Sequence, residues 1–467
     1  MAGASLQDLV ADLRALGIDP SAATIDFAGQ GRPSDAMIGR WAEAAAIGAP
    51  GARDLAIWAI RQAAQAAGIT SCSIQDLYMA RARGEWSGMT VPAMNLRGAT
   101  FDICRAAFRA ARALDAGLFI FEQSVTEAAF AEQTPAEFTA AVLAAALREG
   151  HQGPVFLQAD HDQVNARAFR ADSAAEIARL ERIMRDQVAG GFRNIDIDAS
   201  TVVDLALPTV RDQQRANAEL TAHFTRFVRG IEPDGVTISL GAEIGEVGHH
   251  NTTPEEVREF MATYLPALGG AGAAPAPVSK ISINSGTYHG GKMLADGTLA
   301  PVNVDYALLR EVSDLCRSAF GMAGVVQHGA STLPGAQLAK LPETGAVEVH
   351  LALGFNNLIF DHPALPKALQ EQIRDYTFAN HAHERAPGET DGQFLYNTRK
   401  KAWKVLKQPF WEMQAEPKAA IMASLQGMFH DMFTWMRVGG TRGLVTARTR
   451  PTRFAGPPPA ALRGAAA

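Results

Sequence analysis

The stretch Val155-Phe156-Leu157-Gln158-Ala159-Asp160-His161 decides how this sequence is interpreted. A short apolar run, the pattern of a buried β-strand, ends there in a carboxylate and an imidazole. Seven similar runs occur between residues 90 and 353, separated by Ala- or Leu-rich stretches of helical character. The eight runs cover residues 90–96, 118–122, 155–159, 194–197, 236–240, 280–283, 324–327 and 346–353. This repeat predicts an α/β protein with a (β/α)₈ TIM barrel, and an open doubly wound sheet is the competing interpretation.

The regions outside the repeat predict further helices. Residues 1–88 are rich in Ala, with apolar residues at helical spacing, and predict an N-terminal helical extension of a barrel at 89–368. Residues 369–436 have the same periodicity and predict a C-terminal helical region packed on the barrel. Residues 437–467 contain Pro457-Pro458-Pro459 and no acidic residue, which is typical of a flexible tail.

Composition excludes several classes of protein. The chain has 467 residues, 47% of them hydrophobic and 20% charged, so it can bury a large core. Its net charge of -6 leaves no basic excess for nucleic acid. We see no apolar run long enough for a membrane span and no signal peptide, so a cytoplasmic protein is expected. Cys72, Cys104 and Cys316 are too few for a disulfide framework.

Polar residues follow almost every predicted strand. They are Asn95, Ser124, Asp160, His161, Asp198, Glu243, His289, His328 and His350. In a barrel the C-terminal ends of the strands meet around one axis, so residues far apart in sequence converge there. The simpler alternative for any single member is that polar residues begin where a buried strand ends.

Three histidines of this series lie in the most distinctive segments. His161 ends the stretch quoted above, His289 lies in Gly286-Thr287-Tyr288-His289-Gly290, and His328 begins His328-Gly329-Ala330-Ser331-Thr332. Three protein ligands with an open fourth position are the pattern of catalytic zinc. We therefore expect these histidines to bind Zn²⁺ or another divalent transition metal, and a monovalent cation is allowed beside it. A lone histidine beside a strand is more often structural.

Seven short motifs occur here in the order found in the class II, metal-dependent fructose-bisphosphate and tagatose-bisphosphate aldolases. The sequence resembles a divergent member of that family over roughly residues 89–361. The motifs are Val91-Pro92-Ala93-Met94-Asn95, Phe119-Ile120-Phe121-Glu122-Gln123-Ser124, Ala159-Asp160-His161, Ile195-Asp196-Ile197-Asp198-Ala199-Ser200, Gly241-Ala242-Glu243-Ile244-Gly245, Gly286-Thr287-Tyr288-His289-Gly290 and His328-Gly329-Ala330-Ser331.

The resemblance implies roles for individual residues. Asp160 corresponds to the proton donor of the family, and His161, His289 and His328 correspond to its zinc ligands. The residues expected to contact substrate or phosphate are Asn95, Ser124, Gly290, Lys292, Ser331, Thr332 and Arg399. Arg399 is a candidate because, in the family, a basic residue from this end can reach the phosphate of a neighbouring subunit, so a homodimer or larger homo-oligomer is expected. Lys292 and Arg399 can equally be solvated charges.

The departures from the family pattern concern the substrate. The eighth strand of the family leads into an Asn-x-Asp-Thr-Asp segment that holds a phosphate, whereas residues 349–357 read Val-His-Leu-Ala-Leu-Gly-Phe-Asn-Asn. Gln158 stands where many members have His. In the loop after Glu243, the only candidates for a second proton-transfer residue are Glu246, His249 and His250, of which we take Glu246. Fructose 1,6-bisphosphate is therefore one possible substrate among several.

The chemistry also follows from the residue types. A divalent metal can polarise a ketose carbonyl and stabilise the enediolate left when a carbon–carbon bond breaks. Asp160 is a candidate general base for the hydroxyl proton, and its alternative role is to orient a ligand histidine. Asp198 and Glu243 are candidate supports of the ligands or alternative metal ligands, and a purely structural role is equally open.

Three functions are compatible with these features. The leading hypothesis is an aldehyde-lyase of the class II aldolase type, which converts a ketose phosphate or related sugar into a dihydroxyacetone-phosphate-like ketone and an aldehyde. The second is a non-catalytic or regulatory aldolase-like subunit. The third is another barrel metalloenzyme, such as a hydrolase that uses metal-bound water. The expected partner of the protein is a small sugar or sugar phosphate, with neither nucleic acid nor membrane.

Overall fold

Nine parallel strands form the centre of the molecule. The structure is a computed structural model, and it describes residues 4–20, 22, 25–245, 250–269, 275–286, 293–294, 296–298 and 302–462. The strands β1 to β9 are Thr70–Cys72, Val91–Asn95, Ile120–Ser124, Pro154–Gln163, Asn194–Asp198, Ser239–Gly245, Lys280–Ile283, Val325–Gln327 and Glu348–Leu351. Each strand from β2 to β9 pairs with the next, and β9 pairs with β2, so eight strands close on themselves. The predicted (β/α)₈ barrel is confirmed, and the open sheet is wrong.

Helices lie between the strands along the chain and in both flanking regions. The α-helices α1 to α20 are Leu6–Ala15, Asp35–Ile47, Pro50–Ala66, Gln75–Ala82, Thr100–Ala113, Val125–Phe130, Pro135–Arg148, Ala166–Ala171, Ser173–Gly190, Val210–Ile231, Pro254–Gly269, Tyr306–Phe320, Gly335–Leu338, Leu341–Thr344, Leu353–Phe360, Lys367–His381, Asp391–Thr398, Trp403–Trp411, Ala415–Trp435 and Arg442–Arg448. Short 3₁₀ helices lie at Ser200–Val202, Ala330–Thr332, Ala382–Glu384 and Arg399–Ala402.

The barrel strands are buried on both faces, which explains their near-continuous apolar sequence. All five residues of β2 and all four of β9 are buried. Ser124 pairs with Asp160 and Gln163 pairs with Asp198, so the C-terminal ends of β3, β4 and β5 lie at a similar level. The polar residues that end the strands therefore meet at one end of the barrel.

The observed bounds of several strands differ from their predicted runs, most clearly in β4 and β6. β4 continues to Gln163, beyond the apolar run 155–159, because its polar end pairs with both β3 and β5. The strand expected at 236–240 starts at Ser239 and extends to Gly245, since residues up to 238 form the turn that leaves α10. Apolar content marks the centre of a barrel strand better than its ends.

The regions flanking the barrel contain two features that the composition concealed. β1 lies in the N-terminal extension and pairs with the first residues of β4. The structure differs from the flexible tail expected at 437–467, because residues 442–448 form α20 and both Val445 and Leu462 are buried. A few buried apolar residues, widely spaced in an otherwise polar segment, are enough to pack the C-terminal tail against the rest of the protein. No helix of the described residues is long and apolar enough to cross a membrane.

Candidate active site

A β-bulge in β4 brings Asp160 and His161 to the same place. Consecutive residues of a regular strand face opposite sides, but the register between β4 and β5 shifts between Ala159 and Asp162. His161 lies at the bulge with φ of 50°, a left-handed conformation that non-glycine residues seldom adopt. Such strained positions cluster at functional sites. The bulge re-aims both side chains toward the mouth of the barrel.

His161 and His328 face each other across this mouth. The Nε2 atom of His161 lies 2.9 Å from Nδ1 of His328. The Oδ1 atom of Asp160 lies 3.6 Å from the same His161 nitrogen. One ligand atom from each of the three residues lies within 4.8 Å of the others, so one ion can contact all three. Two nitrogens on a tetrahedral zinc lie roughly 3.3 Å apart, which is close to the observed separation.

The outer nitrogens of both imidazoles have polar partners. Nδ1 of His161 lies 2.9 Å from Oε2 of Glu243 and 3.3 Å from Oδ2 of Asp198. Nε2 of His328 lies 3.0 Å from Oγ of Ser282. Ligand histidines in metal sites typically donate the second ring N–H to a carboxylate or other oxygen, which fixes the ring. The donor set therefore fits a divalent transition metal at the inner nitrogens.

Electrostatics at this site also suit a cation. Burial opposes protonation of His161, but the carboxylates of Asp160, Glu243 and Asp198 overcome it and raise its pKa well above the usual value. Burial raises the pKa of Glu243 to about 7, although His161 acts in the opposite direction. Three carboxylates around one imidazole create a negative potential that a bound cation would neutralise.

Asp160 is held by two donors from other strands. Nδ2 of Asn95 lies 3.2 Å from its Oδ2 atom. Nδ1 of His350 lies 3.0 Å from its Oδ1 atom. Both contacts reach across the barrel, from β2 and β9 to β4. The predicted convergence of Asn95, Asp160, His161 and His328 is present in the structure.

A family model gives an independent result. The model for class II fructose-bisphosphate aldolase matches residues 79–408, more than half of the chain. The protein belongs to this family. None of the curated proteins matches the sequence significantly.

Solved structures resemble the chain at low sequence identity. A probable tagatose 6-phosphate kinase from Sinorhizobium meliloti 1021 has 15% identity and a TM-score of 0.52, and the match covers 81% of this chain and 96% of the chain of that kinase. A fructose-bisphosphate aldolase from Campylobacter jejuni has 16% identity and a TM-score of 0.46, with coverages of 80% and 96%. A fructuronate-tagaturonate epimerase from Cohnella laeviribosi has 12% identity and a TM-score of 0.43, with coverages of 78% and 82%. At these identities the likeness concerns the fold alone.

Several residues that the family resemblance singled out lie outside the described residues. They are the metal candidate His289, the proton-transfer candidates Glu246 and His249, and the phosphate candidates Gly290 and Lys292. The side chain of Thr332 is likewise not described. His250 is described and exposed, and its Nδ1 lies 2.8 Å from the carbonyl oxygen of Asn251.

The remaining candidates for substrate contact have partners within the chain. Ser124 caps α6, since its hydroxyl accepts a hydrogen bond from the backbone N–H of Glu127. The hydroxyl of Ser331 accepts one from the N–H of Ala352 at 2.6 Å. Arg399 pairs with Asp361 at 2.5 Å and donates to Asn357 at 2.9 Å, which ties it to the end of α15. Arg399 is therefore engaged within its own chain.

A buried ionic network fills the barrel beneath the site. The ammonium of Lys280 lies 2.5 Å from Oε1 of Glu348 and 3.0 Å from Oδ1 of Asp196. Nε2 of His350 lies 2.6 Å from the same Glu348 oxygen, so His350 links the network to Asp160. Burial opposes the charge of Lys280, but the two carboxylates raise its pKa above the usual value. Lys280 is thus a fixed cation and a poor nucleophile.

The sequence did not reveal this network. Glu122, Asp196 and Glu348 lie inside predicted strands, where charge normally indicates a solvent-facing position. His350 stood in the series of polar strand ends, but its neighbours Asp160 and Glu348 gave no hint of contact with it. The detectable signal was charge in strands that are otherwise apolar.

Proposed function

We propose that this protein is a metal-dependent aldolase. It would cleave a ketose phosphate or related sugar into a dihydroxyacetone-phosphate-like ketone and an aldehyde, and catalyse the reverse condensation. The observation that carries the proposal is the pair of facing histidine nitrogens, 2.9 Å apart, beside the carboxylate of Asp160. Membership of the class II aldolase family supports a lyase with this chemistry.

The metal in this proposal is Zn²⁺, which His161 and His328 would hold together with His289, a residue outside those that the structure describes. A divalent ion bound there would supply Lewis acidity toward the ketone carbonyl of the substrate. The chain itself orients the two described imidazoles through Glu243, Asp198 and Ser282.

Asp160 is the proposed proton-transfer residue. One of its oxygens accepts a hydrogen bond from Asn95 and the other lies 3.0 Å from Nδ1 of His350, which holds the carboxylate beside His161 and His328. In the cleavage direction a carboxylate at this position would accept the proton of a substrate hydroxyl. Glu246 remains the candidate for the second proton transfer.

The placement of the carboxylates favours a lyase over the alternative hydrolase. A hydrolase that uses metal-bound water needs a carboxylate able to reach that water. Asp198 and Glu243 lie instead against the outer nitrogen of His161, where they orient the ligand. Asp160 lies on the ion side and could serve either reaction, so membership of the aldolase family is what favours the lyase. A non-catalytic subunit has no need of this arrangement.

We expect substrate binding by the proposed aldolase to depend less on one of the two phosphates than it does in the bisphosphate aldolases of the family. After β9 the chain turns directly into α15, whose Leu353 and Phe355 are buried. The Asn-x-Asp-Thr-Asp set of the family's phosphate segment is absent from residues 349–357. Gly290, Lys292, Ser331 and Thr332 are the remaining candidates for one phosphate. A monophosphate, or a sugar recognised through its hydroxyls, fits this set best.

Metal-dependent cleavage of a panel of ketoses tests the proposal. The purified chain is loaded with Zn²⁺ and assayed with matched phosphorylated and unphosphorylated ketoses, with detection of the released aldehyde. We expect cleavage that a chelator abolishes and that Asp160→Asn reduces on the order of 10²-fold or more, with metal content retained. The matched control is Asp186→Asn, on the exposed face of α9, which keeps full activity. Absence of cleavage across the panel would refute the proposal.

The cellular location and the assembly state stay predictions. A cytoplasmic homodimer or larger homo-oligomer is expected from the sequence, and fractionation and light scattering would test these two expectations separately.

A further inference from the structure

Two buried arginines lie at the end of the barrel opposite the candidate active site. Arg193 immediately precedes β5, and Arg61 projects from α3 of the N-terminal extension. Their exposed fractions are 6% and 8%. Neither forms an ion pair with any carboxylate of the described residues. Two guanidinium groups are thus buried side by side, which is costly unless their charge is compensated.

The hydrogen bonds of these arginines leave donors unused. Arg193 donates through Nη1 to the carbonyls of Val188 and Phe192, each at 2.7 Å, while its Nε has no partner. The hydrogen bonds of Arg61 are long, at 3.4 and 3.5 Å from Nη1 and Nη2 to the carbonyl of Ala189. Burial lowers the pKa of each guanidinium to about 10, and for Arg61 the charge of Arg193 adds to this effect. The site therefore has excess positive charge and spare N–H groups.

A small cavity lies between them. Its volume is about 30 Å³, and its lining includes Arg61, Thr139, Gly191, Arg193 and Thr452. The hydroxyls of Thr139 and Thr452 are buried without a hydrogen-bond partner.

Gly191 brings the donors close together because it has no side chain. A Cβ at this position would lie 3.2 Å from Oγ1 of Thr139 and 3.3 Å from Nη2 of Arg61. Its φ of 111° also suits glycine. Arg61 and Thr139 therefore aim at one small space from two different helices.

We propose that this cavity binds a small inorganic monoanion, chloride in ordinary solutions, between Arg61 and Arg193. A single water would satisfy hydrogen bonds but would leave two buried cations uncompensated. The small volume, about 30 Å³, favours a monatomic anion over phosphate or sulfate. The guanidinium N–H groups can only donate and carry positive charge, and the two threonine hydroxyls can donate as well, so the lining favours an anion.

The proposed anion joins three parts of the molecule. Arg61 belongs to the N-terminal extension, Arg193 to the barrel, and Thr452 to the C-terminal tail. The ring of Phe454 stacks on the guanidinium of Arg61, 3.6 Å from ring centroid to Cζ. The backbone N–H of Phe454 donates to Oε1 of Gln65 at 2.6 Å. Binding of the anion would therefore stabilise the docked tail and raise the unfolding temperature.

The test compares chloride with an anion too large for the cavity. The full chain is melted in sodium gluconate and in sodium chloride at matched ionic strength. We expect chloride to raise Tm by about 2–4 °C at saturating concentration. Arg61→Met should abolish the rise, and Thr139→Val, which removes one donor with little change of volume, should reduce it. The control Arg211→Gln, at an exposed arginine, should keep the full rise.

A second measurement needs no variant and so does not depend on the folding of a mutant. Crystals grown without chloride are soaked in sodium bromide, and the anomalous signal of bromine is measured. We expect one strong peak between Arg61, Arg193 and Thr139. Absence of that peak, or density there for a carboxylate from residues beyond 462, would overturn the proposal. Equal Tm values in chloride and gluconate would overturn it as well.

Discussion

The ring of His350 lies between two carboxylates, with Nδ1 at 3.0 Å from Asp160 and Nε2 at 2.6 Å from Glu348. One side chain of the last barrel strand therefore connects the proposed proton-transfer residue to the ionic network below it. Because Asp160 lies within the bulge of β4, its orientation depends on contacts from other strands. His350 is accordingly a positioning residue for Asp160.

Replacement of His350 should impair turnover more than binding. His350→Leu removes the donor to Asp160, and we expect kcat to fall on the order of 10- to 100-fold with little change in KM. His350→Asn keeps an N–H near the position of Nδ1 and should retain more activity than His350→Leu. Steady-state kinetics with metal content measured in parallel would show this order. Equal activity of both variants and the unmodified protein would assign His350 to packing alone.

Glu243 should control metal affinity through His161. Glu243→Gln weakens the carboxylate contact to Nδ1, and we expect a 10- to 100-fold loss of Zn²⁺ affinity. Competition with a chromogenic chelator measures the affinity. Glu219→Gln, an exposed residue of α10, is the matched control and should leave the affinity unchanged. If both variants bind Zn²⁺ as tightly as the unmodified protein, Glu243 does not support the ligand.

The ionic network should make Lys280 essential for stability. Lys280→Met leaves Asp196 and Glu348 buried near each other without their cation, at a cost of about 3–5 kcal/mol. Urea unfolding measures the change in the free energy of unfolding. Lys367→Met, at an exposed position, should change it by no more than about 0.5 kcal/mol. A change of similar size in both variants would mean that the network contributes little.

His151 should make the protein less stable in mild acid. Burial lowers its pKa from 6.5 to about 4, while Nε2 lies 3.2 Å from the carbonyl of Pro154. Between pH 6.5 and pH 4 the unfolded chain therefore binds a proton at His151 that the folded chain does not. The contribution of neutral, buried His151 to the free energy of unfolding is complete above pH 6.5 and is lost as the pH falls toward 4.

The variant His151→Gln keeps a side-chain N–H donor and does not titrate. We expect its stability to fall less between pH 7 and pH 5 than that of the unmodified protein, by on the order of 1 kcal/mol. Urea midpoints at the two pH values give the comparison. His430→Gln, at an exposed histidine, should keep the original pH dependence. An unchanged slope in His151→Gln would contradict the prediction.

The barrel and the convergence at its mouth could be predicted because both depend on local patterns. Apolar runs marked the strands, and closure of eight strands brought Asn95, Asp160 and His328 together without any knowledge of their contacts. The bulge at His161 could not be predicted, because it depends on register with β5. The charges of Lys280 and Glu348 were equally hidden, since each partner is distant in sequence.

The flanking regions were harder to predict for a different reason. β1 has only three residues, too few to show periodicity. The tail docks through isolated residues such as Val445 and Phe454, which an average over a polar segment conceals. Long periodic elements are visible in a sequence, whereas single anchoring contacts are not.

The pairing of β1 with β4 has a consequence for dissection of the protein. Residues 70–72 of β1 pair with residues 154–156 at the start of β4, whereas β5 pairs with β4 only from Gln158 onward. A chain cut at residue 89 would lose these partners and present a bare strand edge to solvent. Bare edges recruit other chains. The isolated barrel is therefore expected to aggregate, because the N-terminal extension protects this strand edge.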